Sequence, residues 1–312
     1  MSKESVFIFI NPAAGNGRGG AIEKCVMTES GRDPLLKKKI RSVERTKRDS
    51  QEMISTCRDA AEKGDLVIIC GGDGTAHQVL NLLQACSYKK SVSIYPLGTG
   101  NDLALNVNGR KLGGSPNDFM RFLEKVTEEA DEITLDYFSL NGQLLFTNYI
   151  SLGFDAYIVT HYEKILSMLK SIPIARIPLF KKTILLSLGL YAFFFYRSKI
   201  MVGSESKSFA SIIVSNLPTY AGGAIFSEGS SISDGRPEIA FLSKIDYAKL
   251  MLNRFYRKRQ LFDIGAKTVD TPLRVVIDEP LPVELDGDDC TEMFADCREF
   301  EITHEGSWNV CR

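Results

Sequence analysis

The chain has 312 residues, 44% hydrophobic and 25% charged, with a formal net charge of −1. This is the composition of an ordinary globular protein with room for two domains and a sizeable core. The near-neutral balance excludes a dedicated nucleic-acid binder, which needs a global positive field. Seven cysteines are scattered without a Cys-x-x-Cys pair, so neither a zinc site nor a disulfide framework is expected and a reducing cytosol fits best. The polar opening, Met1-Ser-Lys-Glu-Ser5, does not read as a signal peptide.

Val6 to Ile10 is continuously apolar, as in a strand buried on both faces. A turn-rich loop, Asn11 to Gly20, follows it, then a helix near Ala21 to Met27. Ile40 to Glu44 reads as a second strand. Ser50 to Lys63 reads as a helix stopped by Gly64, with Met53, Ile54, Cys57, Ala60 and Ala61 at helical spacing. Leu66 to Cys70 is a third strand. It runs into Gly71-Gly72-Asp73-Gly74-Thr75 and a helix over Ala76 to Cys86. A fourth strand, Ser91 to Tyr95, is closed by Pro96-Leu-Gly-Thr-Gly-Asn-Asp102. Strand, glycine turn and helix recur in order, which predicts a parallel α/β sheet with its ligand cleft beyond the C-terminal strand ends.

Near Asp131 the pattern changes. Glu132 to Ser139, Gln143 to Leu152, Lys199 to Val202, Ser208 to Ser215, Pro237 to Ser243, Leu273 to Ile277 and Leu281 to Leu285 read as strands, several separated by turns such as Asn141-Gly142. The expected fold class is α/β plus β. An N-terminal parallel-sheet nucleotide domain over 1–132 precedes a mainly antiparallel, sandwich-like domain over 133–298, with the tail 299–312 packing back on the first. Helical insertions are expected at Ala156 to Lys170 and Phe180 to Tyr196. The run Ile184 to Tyr196 is apolar nearly all round. At roughly 20 Å it is too short for a bilayer core of about 30 Å, so it packs in the domain or lies in an interface. The basic clusters Lys37 to Arg48, Arg176 to Lys182 and Arg254 to Arg259 read either as solvated surface or as anionic membrane contacts.

The glycine loops carry the chemistry. Three glycines at a strand end let backbone N–H groups approach a polyanion. Asp73 among them would repel a phosphate unless a divalent cation lies between, which points to a Mg-nucleotide site. Gly98-Thr99-Gly100-Asn101-Asp102 adds a hydroxyl, an amide and a carboxylate, although Asn101 or Asp102 also serves as a helix cap. Gly15 to Gly20 formally matches a dinucleotide fingerprint, with Glu44 at the second strand's end, but Asn11-Pro12 fits that turn poorly. No P-loop stretch occurs. His77, His161 and His304 have no paired metal spacing. His77 reads as a helix residue near the site, and Trp308 as a packing anchor for the tail.

Asn11-Pro-Ala-Ala-Gly15, Gly71-Gly-Asp-Gly-Thr75 and Pro96-Leu-Gly-Thr-Gly-Asn-Asp-Leu-Ala104 resemble the catalytic motifs of the diacylglycerol kinase family, with its sphingosine and ceramide kinase relatives. Asn148 to Ala156, Asn216-Leu-Pro-Thr-Tyr-Ala-Gly-Gly223 and Ser233-Asp-Gly235 resemble its second-domain segments, so the resemblance runs from about Val6 to Asp289. It implies that Asn11, Pro12, Ala13, Ala14, Gly15, Thr46, Gly71, Gly72, Asp73, Gly74, Thr75, Gly98, Thr99, Asn101 and Asp102 form the ATP site, and that Asp73 acts through Mg²⁺. It also implies a second, structural Mg²⁺ position at Asp234 and the main-chain carbonyl of Arg236, although Ser231 stands where bacterial relatives have Lys. The family's Asp-Gly-Glu base is here Asp286-Gly287-Asp288, so the matching base, Asp288, is one methylene short. That is roughly 1.5 Å, and a misplacement of about 1 Å can cost about a hundredfold in rate.

The expectation is an ATP- and Mg²⁺-dependent lipid kinase, cytoplasmic and peripherally membrane-associated, with diacylglycerol as acceptor. Sphingosine- or ceramide-type phosphorylation is the alternative. A catalytically weak nucleotide-binding membrane protein is the non-enzyme alternative, because of Asp288. NAD or sugar-phosphate kinases share Gly-Gly-Asp-Gly but not the other motifs, and a dinucleotide oxidoreductase rests on Gly15 to Gly20 alone.

Overall fold

The computed structural model describes residues 3–312 except 48–49, 99, 110, 130, 170–171, 173–176, 198–199, 202–207 and 254–260. Its first half alternates strands and helices. These are β1 (Val6–Ile10), α1 (Ala14–Arg32), α2 (Pro34–Lys39), β2 (Ile40–Arg45), α3 (Gln51–Lys63), β3 (Leu66–Gly71), α4 (Asp73–Ala85), β4 (Ser91–Pro96), α5 (Asp102–Asn108) and α6 (Pro116–Glu128). Helix starts follow local chemistry. The Ser50 hydroxyl accepts from Met53 N at 3.1 Å to cap α3, and Ser115 and Asp118 form a reciprocal capping box on α6. By contrast, α4 begins at Gly72 with no side-chain cap. The break at the start of α1 comes from Gly15, Asn16 and Gly17, all left-handed.

The second half contains β5 (Glu132–Leu140), β6 (Leu144–Phe146), β7 (Tyr149–Gly153), α7 (Phe154–Met168), α8 (Pro178–Phe195), β8 (Ile200–Met201), β9 (Ser208–Phe209), β10 (Ser211–Ser215), β11 (Thr219–Tyr220) and β12 (Ala224–Ile225). It ends with β13 (Glu238–Leu242), α9 (Lys244–Asn253), β14 (Lys267–Thr268), β15 (Leu273–Val276), β16 (Val283–Leu285), β17 (Asp288–Asp289) and β18 (Glu299–Cys311). The expected strand over Lys199 to Val202 is observed as β8, with its outer residues outside the described ones.

The first sheet runs β2-β1-β3-β4-β18-β5-β6, with β15 on β18. β1, β2, β3 and β4 are mutually parallel. Alternation along β1 sends Val6, Ile8 and Ile10 to one covered face with Ile22, Phe119 and Leu123. Phe7 and Phe9 face the other, with Val79, Leu83 and Trp308. The second sheet, β14-β13-β10-β7-β16-β17, is antiparallel. Its inner face packs Ile150, Leu152, Val214 and Leu285 against Phe138, Phe300 and Ile302 of the first sheet. The result is the expected α/β sheet followed by an antiparallel, sandwich-like layer.

Four expectations change. Glu132 to Ser139, expected in the second domain, is β5 of the first sheet, and Ser208 to Ser215 divides into β9, paired with β8, and β10 of the second sheet. Gln143 to Leu152 is not one strand. It breaks at Thr147-Asn148, where the chain leaves the first sheet in β6 and enters the second in β7. The freed N–H groups of Thr147, Asn148 and Tyr149 are taken by the buried Asp286 carboxylate at 2.9–3.0 Å. Leu273–Val276 pairs with β18 in the first sheet rather than joining the second. The tail itself is an interior strand, β18, parallel to β4 and antiparallel to β5.

Candidate active site

Three loops meet at the C-terminal ends of β1, β3 and β4. The Asn11 amide donates to Thr75 Oγ1 at 3.2 Å, which ties the first loop to the second. A Cβ on Gly98 would lie 2.5 Å from Gly72 Cα, so the second and third loops touch backbone to backbone. A Cβ on Gly71 would strike the Thr75 side chain at 2.4 Å. Side chains larger than hydrogen cannot occupy these positions without displacing a loop. Asn101, itself left-handed, holds the third loop by accepting from Gly98 N at 2.7 Å and donating to Gly98 O at 2.8 Å. Thr46 sits at the same edge, its N–H on the Ile10 carbonyl at 2.8 Å. Thr99 lies outside the described residues.

Asp73 points across this junction. Its carboxylate accepts from the N–H groups of Asp102 at 3.3 Å and Leu103 at 3.1 Å. Burial and the charge of Asp102 push its carboxyl up to about 6, against the pull of those two N–H groups and with a further push from Asp286. Asp102 is buried and engaged by the second half of the chain. One of its oxygens accepts from Thr219 Oγ1 at 3.2 Å and the other from Gly222 N at 2.5 Å. The Thr219 to Gly223 loop, with Ala221, Gly222 and Gly223 all left-handed, thus closes on the third glycine loop. Asp102 therefore serves as an inter-sheet tie as well as a neighbour of Asp73.

The β16–β17 turn completes the cleft from the second sheet. Asp288 Oδ1 lies 4.0 Å from the position a Cβ would take on Gly74. Asp286, at the same turn, is 1% exposed and also meets His77 Nδ1 at 3.3 Å. His77 is thereby a packing partner of the turn. Glu284 accepts the Gly287 N–H and, at 2.8 Å, the Ser151 hydroxyl. Beside it lies Asp155, bonded by the Tyr220 hydroxyl. Burial raises both carboxyls, and the charge of Asp155 adds to the effect on Glu284. The sequence motifs do not mark Glu284, and they mark Asp286 only by its place in the Asp286-Gly287-Asp288 turn. The available signal was an acid inside Val283-Glu284-Leu285, where a strand flanked by buried apolar residues has no solvent to offer it.

Asp234 lies apart from the glycine loops. Its Oδ1 accepts from Arg236 N at 3.1 Å, the adjoining Gly235 N–H goes to Asp136 at 2.6 Å, and the Arg236 guanidinium pairs with Asp270 at 2.9 Å. Among the described residues no three His, Cys, Asp or Glu side chains converge as a metal-binding group, here or elsewhere. Any ion at Asp73 or Asp234 would have to draw on ligand oxygens, carbonyls or water for its remaining coordination.

Glycine loops on a parallel sheet thus face an acidic turn from an antiparallel sheet. Two solved structures described as "A putative diacylglycerol kinase from Bacillus anthracis str. Sterne" and "Crystal structure of a putative diacylglycerol kinase from Bacillus anthracis str. Sterne" share the fold. They give TM-scores of 0.63 and 0.62 at 19% and 18% identity, and each alignment covers 99% of this chain and 97% of the other. Residues 5–135, under half of the chain, match the family model described as "Diacylglycerol kinase catalytic domain". Human diacylglycerol kinase zeta is 31% identical over 120 residues, 31% of this chain and 13% of the relative. The Bacillus subtilis protein named "Putative lipid kinase YtlR" is 28% identical over 161 residues, 49% of this chain and 48% of the relative. The chain thus spans about an eighth of the first relative and about half of the second.

Proposed function

We propose that the protein is an ATP- and Mg²⁺-dependent lipid kinase that phosphorylates diacylglycerol to phosphatidic acid at a membrane surface. The observation that carries this reading is the approach of Asp288 to Gly74, 4.0 Å from carboxylate to Cβ position. It sets an acid from the second sheet opposite the glycine loop, where a base for the incoming hydroxyl belongs. Asn11 to Gly15, Thr46, Gly71 to Thr75, Gly98, Thr99 and Asn101 form the ATP cradle in this reading. The side-chain-uncapped start of α4 leaves main-chain donors for phosphate.

Asp73 fits a cation, because burial and the neighbouring charges of Asp102 and Asp286 all raise its carboxyl. Magnesium bound there with phosphate oxygens would neutralise phosphate charge. Asp288 takes the proton of the lipid hydroxyl, and Glu284, through the Gly287 N–H, holds Asp288's turn in place. Asp102 keeps the two sheets in register around the reacting groups. A second ion at Asp234 and the Arg236 carbonyl has no part in this transfer.

Incubation with labelled ATP, Mg²⁺ and mixed micelles of diacylglycerol, sphingosine or ceramide tests the reading. Labelled phosphatidic acid is the expected product. Label in sphingosine or ceramide instead would move the protein to that branch. ATP binding with no labelled lipid would leave only the nucleotide-binding reading.

A further inference from the structure

α8 is apolar nearly all round, yet one side meets solvent. Leu179, Leu186, Leu190, Tyr191, Phe194 and Phe195 are each more than half exposed. Leu179, Leu186, Leu190 and Phe194, spaced by seven, four and four, form a stripe along the helix. The opposite side is anchored. Ala192 and Tyr196 are buried against Phe154 and Ile158 of α7. The Lys244 ammonium donates to the carbonyls of Phe193 at 2.7 Å and Tyr196 at 2.6 Å, closing the helix end. The helix is thus fixed in place, and its exposed stripe is a patch of the kind that marks an interaction surface.

Charge identifies the occupant. Residues 157–200 contain seven Lys and Arg and one Glu, net +6, in a chain of net −1. Two such surfaces paired about a two-fold axis would repel. An apolar stripe with Lys181 near its start and the exposed Arg197 just past its end suits an anionic bilayer, where the stripe enters the acyl boundary and the cations meet head groups. Among the described residues no helix is long and apolar enough to cross a membrane. The surface is linked to the site through one helix, since α8 packs on α7 and α7 packs on β16 and β17, the hairpin of Asp288.

We propose that the outer face of α7–α8 is the docking surface for an anionic lipid bilayer. It sets the helix pair in the interface beside Asp288. The inference rests on the lipid-kinase reading only for what the bilayer supplies, because docking itself is measured without ATP or acceptor lipid.

The test is co-sedimentation of the full chain with vesicles of phosphatidylcholine, with and without about one third phosphatidylglycerol. Binding to the anionic vesicles is expected, weakened by salt. The triple variant Leu186→Ser, Leu190→Ser, Phe194→Ser should lower partitioning at least about tenfold, and Lys181→Glu with Arg197→Glu should do so by about tenfold. The charge variant decides the matter if the triple variant does not fold by circular dichroism. Failure of the wild type to bind anionic vesicles, or unchanged binding by a folded variant, would overturn the proposal. A lipid-free dimer abolished by the triple variant would assign the surface to a second copy and overturn it too. Phosphorylation of a short-chain, water-dispersed diacylglycerol reads the kinase activity separately and should persist in both variants.

Discussion

Asp73 gives a prediction whose size follows from the site. Its carboxyl titrates at about 6 in the fold against an ordinary 3.8. Between those values the native state binds more protons than the unfolded chain, so stability falls as pH rises through the window. A rise of about 2 units corresponds to about 3 kcal/mol, absent below about pH 4 and fully expressed above about pH 6. Asp73→Asn removes the charge and with it this slope. The new amide NH₂ opposes one of the two N–H donors from Asp102 and Leu103, which costs about 1–2 kcal/mol. The variant should therefore unfold at a free energy about 1–2 kcal/mol above wild type at pH 8, and no higher than wild type at pH 4. Urea unfolding at both pH values measures this, with unchanged m-values required. A variant-to-wild-type difference that is the same at pH 4 and pH 8 would refute the claim that burial and Asp102 strain the carboxylate. The same variant should lose turnover, and wild-type activity should decline as pH drops below about 6. Normal turnover by Asp73→Asn would remove the metal assignment.

Other substitutions probe the remaining contacts. Asp288→Glu should keep or raise the rate of lipid phosphorylation while Asp288→Ala loses it. Equal rates for wild type and Asp288→Ala would place the base elsewhere. Asp286→Ala strands the N–H groups of Thr147, Asn148 and Tyr149, and should lower the denaturant midpoint by an amount worth about 3–5 kcal/mol. A loss under about 1 kcal/mol would mean that the β6–β7 crossover is held by something else. Gly98→Ala puts a methyl group 2.5 Å from Gly72 Cα. It should cost about 1–3 kcal/mol and weaken nucleotide binding measured by calorimetry. Unchanged affinity would show that contact between the two loops does not shape the nucleotide site.

Much of this arrangement is legible in the chain itself. Runs such as Val6 to Ile10 and Leu66 to Cys70 are short, apolar and closed by turn residues, so periodicity and breakers locate the parallel strands. Gly71 to Thr75 and Gly98 to Asp102 announce themselves because few sequences combine glycines with acids at strand ends unless a backbone must approach something closely. Ser50 and Ser115 mark helix starts through hydrogen bonds that span only three residues. All of these are local signals, carried by neighbours in sequence.

The assembly of the sheets and cleft is decided by contacts that sequence neighbours do not report. Thr147-Asn148 lies within a run that reads as one strand, and only Asp286, 139 residues from Thr147, supplies the acceptor that lets the chain change sheets there. β18 reads as a tail, yet it becomes an interior strand because its pairing edges belong to β4 and β5. Asp102 looks like a helix cap or phosphate contact until Thr219 and Gly222 reach it from the second half of the chain. Local propensity fixes elements and loops. Which sheet a strand joins, and which acid faces which glycine, depends on satisfying buried N–H groups and charges across long separations, and only the folded chain brings those partners together.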